Sequence, residues 1–333
     1  MGNLYQNQLD LHRSPSYTDT LTHKAENVIL QKDDIAITLT GTNNKRDFGY
    51  TYIFNDEKNL LLNQRCGLIR AKGNPYFLSC LLKTHTFLNQ FFESATGGTG
   101  NQANVSTKAM EMFSVNTPSL KEQEKIGQLM ALLDERIATQ NKIIEDLKKL
   151  KSAISENLFK AVKGDVVILS EICEIIKGKQ VNSEFLSEKG KYYVMNGGTE
   201  PSGYYSDYNV EANTISISEG GNSCGYIQFN TSPFWSGGHC YTIQKIADNV
   251  DHLYLYHYLK TKEDAIMKLR IGSGLPNIQK KGLAMFKIKL PNVEQQKSIS
   301  TFLSSLERKA EIEEIIQNAM LKEKQYLLQQ MFI

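Results

Sequence analysis

Several short runs of this chain concentrate side chains that can do chemistry. Thr42-Asn43-Asn44-Lys45-Arg46-Asp47 places two amides and two cations side by side. Lys177, Lys179 and Gln180 form a second run, with Asn196-Gly197-Gly198 and Gly220-Gly221-Asn222-Ser223 further on. Two Gly-rich segments, 97–104 and 272–281, add backbone amides, and the second also carries Ser273, Asn277, Lys280 and Lys281. Asn, Gln, Lys and Arg are the donors that read base edges or hold phosphate oxygens. Bare Gly-rich amides form concavities for anions, so 272–281 has the makings of a phosphate clamp. Taken singly, each run is better explained as a turn that needs Gly, Asn and Ser for its backbone.

Covalent chemistry has weaker candidates. Asn74-Pro75-Tyr76-Phe77 approaches an adenine-flipping Asn-Pro-Pro-Tyr motif but lacks the second Pro, and Asn just before a helix is an ordinary cap. Gly97-Gly98-Thr99-Gly100 has no Lys-Ser/Thr after it, and no GxxxxGK[ST] occurs in the chain. The five cysteines (66, 80, 173, 224, 240) are never spaced as CxxC and read as reduced core thiols of a cytoplasmic protein. The histidines at 12, 23, 85, 239, 252 and 257 show no zinc-type spacing with them. Cys240 beside His239 invites a nucleophile, yet a buried thiol is the better reading. The sequence therefore predicts no enzyme, no cofactor and no metal site.

Bulk composition narrows little. A chain of 333 residues, 41% hydrophobic and 22% charged, has room for two domains. A net charge of +2 permits nucleic-acid binding without arguing for it. No apolar run approaches the roughly 18–20 residues of a membrane span, so no membrane partner is expected.

The elements that must position these runs are announced by a duplication. Residues 104–159 register on 277–332 without a gap, an offset of 173 positions, as from Asn104 to Asn277. Lys108 meets Lys281, Met112-Phe113 meets Met285-Phe286, Pro118 meets Pro291, Gln123 meets Gln296, and Phe159 meets Phe332. Upstream, with small insertions, Asp34-Ile35-Ala36-Ile37-Thr38 resembles Thr214-Ile215-Ser216-Ile217-Ser218. Gly41 then matches Gly221, Gly49-Tyr50 matches Gly225-Tyr226, and Cys66 matches Cys240. A period this long is a duplicated domain, not a solenoid repeat.

Each copy ends in a rod. Ile126, Met130, Leu133, Ile137, Ile144, Leu147, Ile154 and Leu158 step by heptad spacing, interrupted at Gln140 and Lys151. The second rod reads Ile299, Leu303, Leu306, Ala310, Ile316, Met320, Leu327 and Met331. A helix of about 40 residues is about 60 Å long and has no core of its own. Two such helices in one chain are expected to bury their seams against each other as an antiparallel pair, with the globular units in pseudo-twofold arrangement. That symmetry suits duplex DNA with inverted half-sites separated by one or more turns of about 34 Å.

The doubled order of motifs resembles a known family. Gly272-Ser273-Gly274-Leu275-Pro276-Asn277-Ile278, then Phe286-Lys287-Ile288-Lys289-Leu290-Pro291 and Glu294-Gln295-Gln296-Lys297-Ser298-Ile299, is similar to the specificity (S) subunits of type I restriction–modification systems. The first copy carries the same signature from Gly97 through Pro118 to Ile126. The resemblance implies an α+β fold: two mixed α/β target-recognition domains and two long α-helices packed as an antiparallel coiled coil. The first recognition domain would be 1–117 and the central helical spacer 118–163. The second domain would be 164–290 and the distal spacer 291–333. It implies a non-catalytic subunit that reads a bipartite site on double-stranded DNA. Methyltransferase (M) subunits would dock on the spacers, and restriction (R) subunits would join through them. About 46 residues lie between Leu169 and the strand at Thr214, whereas only 34 precede Ile35. The first domain therefore looks truncated at its N-terminus, which leaves open an assembly remnant that no longer reads DNA.

Overall fold

The computed structural model describes residues 2–13, 15–21, 26–55, 59–97, 102–272, 274 and 276–332. The chain divides into two compact units, Met1–Lys142 with Ile315–Ile333, and Ile143–Glu314.

In the first unit β1 (Leu4–Tyr5) and β2 (Gln8–Leu9) form a hairpin. Strand β3 (Ile35–Thr38) is followed by β4 (Thr40–Thr42), β5 (Thr51–Ile53) and β6 (Cys66–Ile69). Helices α1 (Pro75–Leu81) and α2 (His85–Glu93) precede β7 (Gln102–Asn104), α3 (Thr107–Glu111) and the long α4 (Leu120–Ala161). The sheet order is β5-β3-β6, all antiparallel, with β4 paired to β7 beside it. Ile35 and Ile37 are fully buried and pack with Phe48, Phe77, Phe87 and Phe91.

The second unit adds β8 (Asp165–Ile168), α5 (Leu169–Ile172), β9 (Glu174–Lys177), β10 (Tyr192–Met195) and β11 (Tyr204–Tyr205) before its own version of the sheet. That sheet uses β12 (Thr214–Ser218), β13 (Ile227–Asn230) and β15 (Cys240–Gln244), with β14 (Trp235–Ser236) between the last two in sequence. There follow α6 (His252–Thr261), α7 (Glu263–Met267), α8 (Lys280–Ala284), β16 (Lys287–Leu290) and the long α9 (Val293–Met331). The antiparallel order is β13-β12-β15-β9. Among the described residues no strand of the first unit lies beside β6 as β9 lies beside β15.

The duplication extends to individual hydrogen bonds. Ile35 pairs with Ile69 and Thr38 with Cys66, as Ile215 pairs with Ile243 and Ser218 with Cys240. Gly49 N–H donates to Thr38 O (2.9 Å) and Gly225 N–H to Ser218 O (2.8 Å). Both glycines take the left-handed backbone, φ +79° and +94°, that a side chain would strain. A Cβ on Gly225 would also lie 3.1 Å from Met267 N. Leu39 N–H donates to Arg65 O and Glu219 N–H to His239 O, each at 2.9 Å. Val105 and Ile278 then donate to Leu39 O and Glu219 O.

Three ties recur where the rods meet each unit. Gln123 Nε2 donates to Pro118 O (3.0 Å) and Gln296 Nε2 to Pro291 O (2.9 Å), and both glutamines are buried. Phe332, at the end of α9, stacks on Phe77 in the first unit with centroids 4.9 Å apart. Its counterpart Phe159, near the end of α4, meets Tyr254 and Tyr258 edge-on in the second. Asp134 accepts from Tyr76 (2.5 Å) and pairs with Lys324. At the equivalent positions Glu307 accepts from Tyr256 (3.2 Å) and pairs with Lys151 (2.6 Å).

In each unit the helix segments run antiparallel: Asp134 to Lys324 and Asn141 to Gln317 in one, Lys148 to Glu314 and Lys151 to Glu307 in the other. One seam assignment needs correction. Ile316 is 38% exposed, while Glu313 and Gln317 are half-buried. The heptad register continues from Ala310 through Glu313, Gln317 and Met320. The polar step survives because Gln317 hydrogen-bonds Asn141.

His257 on α6 is buried against Ser304 of α9, with 2.9 Å between Nε2 and Oγ. Burial pushes its imidazole down to about 4, with Glu307 opposing and Lys151 assisting. The folded protein therefore holds it neutral while the unfolded chain takes up a proton below about pH 6.5. Stability should fall as pH drops from about 6.5 to about 4, by up to ~3 kcal/mol from this group. His257→Gln should flatten that stretch of the denaturation profile, and an unchanged slope would refute the assignment.

Candidate nucleic-acid interface

The second unit gathers its polar runs where three strand ends converge. Because β15 is antiparallel to both neighbours, its start lies beside the end of β12 and the end of β9. Lys177 closes β9, and its Nζ sits 2.7 Å from Glu219 Oε1. Tyr241 OH lies 2.8 Å from the same oxygen and 3.2 Å from Ile278 O. Burial, then the Glu219 carboxylate, raises the Tyr241 phenol, so it remains a donor.

The flanking loops are stitched to this point. Gly220 bridges Asn277, Gly221 N–H donates to Pro276 O (3.0 Å), and Ser218 Oγ donates to Gly197 O (2.6 Å). Asn196 Oδ1 accepts from His239 N–H (3.1 Å). Lys179 N–H donates to Ser236 O, and the Lys179 carbonyl accepts from Trp235 Nε1, both at 2.8 Å. Gly238 leaves room for Gln180, whose Oε1 would lie 2.6 Å from any Cβ there.

Lys177, Lys179, Gln180, Asn196 and Asn277 thus share one edge of the unit. Asn222 and Ser223 occupy the turn that follows Gly221, with Cys224 N–H donating to Gly221 O. Lys280 and Lys281 open α8, exposed, two and three residues beyond the anchored Ile278. Ser273 lies outside the described residues.

In the first unit Asn43, Asn44, Lys45 and Arg46 form an exposed turn after β4. Asp47 Oδ1 accepts from Thr42 N–H (2.5 Å), and the Arg46 guanidinium lies 5.1 Å over the Phe92 ring. The near-motif at Asn74 is a cap: its side chain accepts from Phe77 N–H (2.8 Å), as Asp251 accepts from Tyr254 N–H (2.8 Å). Burial pushes the Cys240 thiol up to about 11, so it is no thiolate at neutral pH. Among the described residues no group of His, Cys, Asp or Glu is placed to hold a metal ion, and no helix is long and apolar enough to cross a membrane.

Sequence reasoning did not place Glu219, Tyr241, His239 or Arg65 at this edge. The last two had a signal, since each precedes a cysteine that the duplication aligns. Nothing in the pattern announced a buried carboxylate at 219, because its counterpart is Leu39.

Duplicated sheets that end in paired polar loops, each continuing into a long helix, define a class of two-unit scaffold proteins. The sequence profile of the type I restriction modification DNA specificity domain matches residues 2–149 and 162–322, and the chain belongs to that family. A Mycoplasma pneumoniae protein provisionally named a type I specificity subunit is 32% identical over 145 residues, covering 43% of this chain and 38% of that protein. The matched stretch is likewise 38% of a similarly named Mycoplasma genitalium protein, so the chain spans well under half of these two relatives. The Methanocaldococcus jannaschii type I restriction enzyme MjaVIII specificity subunit is 26% identical over 67% of this chain and 61% of its own. The crystal structure of a type I restriction–modification S subunit from M. genitalium shares the fold, with TM-score 0.68 and 20% identity over 96% of this chain and 86% of that one.

Tyr241→Phe should cost the second unit about 1–3 kcal/mol, since it strips a donor from a buried carboxylate. The check is a chemical denaturation midpoint, and an unshifted midpoint would mean that Lys177 alone satisfies Glu219.

Proposed function

We propose that this chain is the DNA-reading subunit of a type I restriction–modification complex. Each unit would read one half of a bipartite duplex site, and the chain would position methyltransferase and restriction subunits without chemistry of its own. The observation that carries this reading is the repetition of the same backbone bonds at one strand end in both units. A rigid scaffold that presents variable polar loops is how recognition surfaces are usually built. The loops hold the donors that base edges and phosphates require. M subunits would dock on the exposed faces of α4 and α9, R subunits would join through them, and the complex would work in the cytoplasm.

A second reading has one observation in its favour. Among its described residues the first unit has no partner strand beside β6, hence no counterpart of Lys177, and Leu39 stands where Glu219 would be. Such a unit could keep its rods and partners while having lost its half-site.

Co-expression with an M subunit, followed by genome-wide mapping of methylated bases, separates the two. A split methylated motif is expected. Assembly without methylation would favour the remnant. Lys280→Ala with Lys281→Ala should weaken binding to all duplex sequences alike and shallow its salt dependence by up to about two phosphate contacts. Unaltered binding would remove α8 from the interface.

A further inference from the structure

The platform presents one side chain at the same place in each unit. Arg65 and His239 are the residues whose carbonyls accept from Leu39 and Glu219, immediately before β6 and β15. Both side chains are exposed, and both backbones are pinned on the other side as well. Arg65 N–H donates to Asn63 Oδ1 (3.0 Å) and His239 N–H to Asn196 Oδ1 (3.1 Å). In the second unit the neighbouring Gly197, Gly237 and Gly238 leave the space that His239, Asn196 and Gln180 fill in turn.

Arg and His differ in the base-edge patterns they match. What they share is the capacity for positive charge with N–H donors, and that is the requirement of a phosphate oxygen. Beneath His239 lies an unexplained group. Glu219 is 6% exposed, and its Oε2 has no hydrogen-bond partner among the described residues. His239 Nδ1 stands 3.9 Å from that oxygen. The other charged or titratable groups on this spot are Lys177 and Tyr241, both engaged with Oε1, and the thiols of Cys224, which donates to Glu219 O, and Cys240, both held up by burial and so uncharged. Nδ1 of His239 faces this oxygen, and with both ring nitrogens protonated the imidazole would be a cation between the Glu219 carboxylate and solvent.

We propose that Arg65 and His239 are equivalent contacts to the DNA phosphate backbone, one permanent and one switched on by protonation over Glu219. The inference rests on the DNA-reading assignment above and deepens it. Imidazole is the side chain that gains charge between about pH 8 and 5, so the contact at His239 would strengthen in mild acid while the contact at Arg65 would not change.

The test uses the full chain and a pool of random-sequence duplex DNA, with affinity measured against salt at pH 8 and pH 5.5. Each phosphate contact adds about 0.9 to the slope of log affinity on log salt. The wild-type slope should steepen by about that amount at pH 5.5. His239→Gln, its folding checked by an unshifted melting temperature at pH 8, should lose most of the steepening. His239→Arg should show the steeper slope at both pH values. Arg65→Gln should lose about 0.9 at both. If His239→Gln steepens as wild type does, or Arg65→Gln keeps its slope, the proposal fails while DNA binding stands. If wild type binds duplex without salt dependence, both the proposal and the DNA-reading assignment fail.

Discussion

Two helices of about 40 residues cannot stand alone in water, and the fold is arranged around giving them anchorage. Each unit clasps one helix at its start and the other at its end. In the first unit, buried Gln123 fixes the first turns of α4 while Phe332 of α9 stacks on Phe77. In the second, Gln296 fixes α9 while Phe159 of α4 enters a core of Tyr254 and Tyr258. The second clasp is the tighter. Gln296 also donates to Asn249 O and accepts from Asp251 N–H, the cap of α6, and Phe159 is 2% exposed. A buried amide with three partners fixes direction as well as position, because any rotation leaves a polar group unpaired.

The seams mix apolar and polar steps: Met130, Ile137, Ile144, Ile299 and Leu303 are buried along them. Gln140 is buried on α4, Asn141 meets Gln317, and Lys148, Lys151 and Lys324 are engaged with carboxylates. Partly exposed ion pairs contribute at most about 1 kcal/mol each. Polar pairs within a heptad seam specify register at some cost in stability. Asp134 with Lys324 and Glu307 with Lys151 are the same pair written twice, so a slip of one helix past the other would break both. Register is thus held by polar geometry, and affinity by the buried apolar seam together with the aromatic ends.

Much of this is legible in the sequence because duplication supplies an internal check. The matches of Gln123 to Gln296 and Phe159 to Phe332 mark the clasps by residue type and spacing alone, and the matches at Gly49 and Cys66 fix the sheet register. The illegible features are those in which the copies differ or the environment decides. Heptad spacing points to Ile316 as a seam residue, but hydrophobicity cannot say which of two neighbouring stripes is buried when Gln317 has a partner across the seam. Glu219 reads as a loop acid, and only the convergence of β9, β12 and β15 makes it a buried hub. The site runs at 177–180, 196 and 277 look unrelated in sequence. They become one edge because an antiparallel strand brings its neighbours' ends together.

That edge shows how one scaffold can carry two chemistries. The backbone bonds that join residue 39 to 65 and to 105 are those that join 219 to 239 and to 278. Nothing in them depends on side chains, so residues at these points are free to diverge without cost to the sheet. Leu39 extends the apolar core of its unit. Glu219 instead gathers Lys177, Tyr241 and the approach of His239. A buried carboxylate is expensive unless paired, and Lys177 and Tyr241 supply that pairing for Glu219. The strand that brings Lys177, β9, is also the strand without a described counterpart in the first unit. The acid and the extra strand therefore belong to one device: without β9 the carboxylate would lose its cation, and without the carboxylate β9 would end on an untethered lysine.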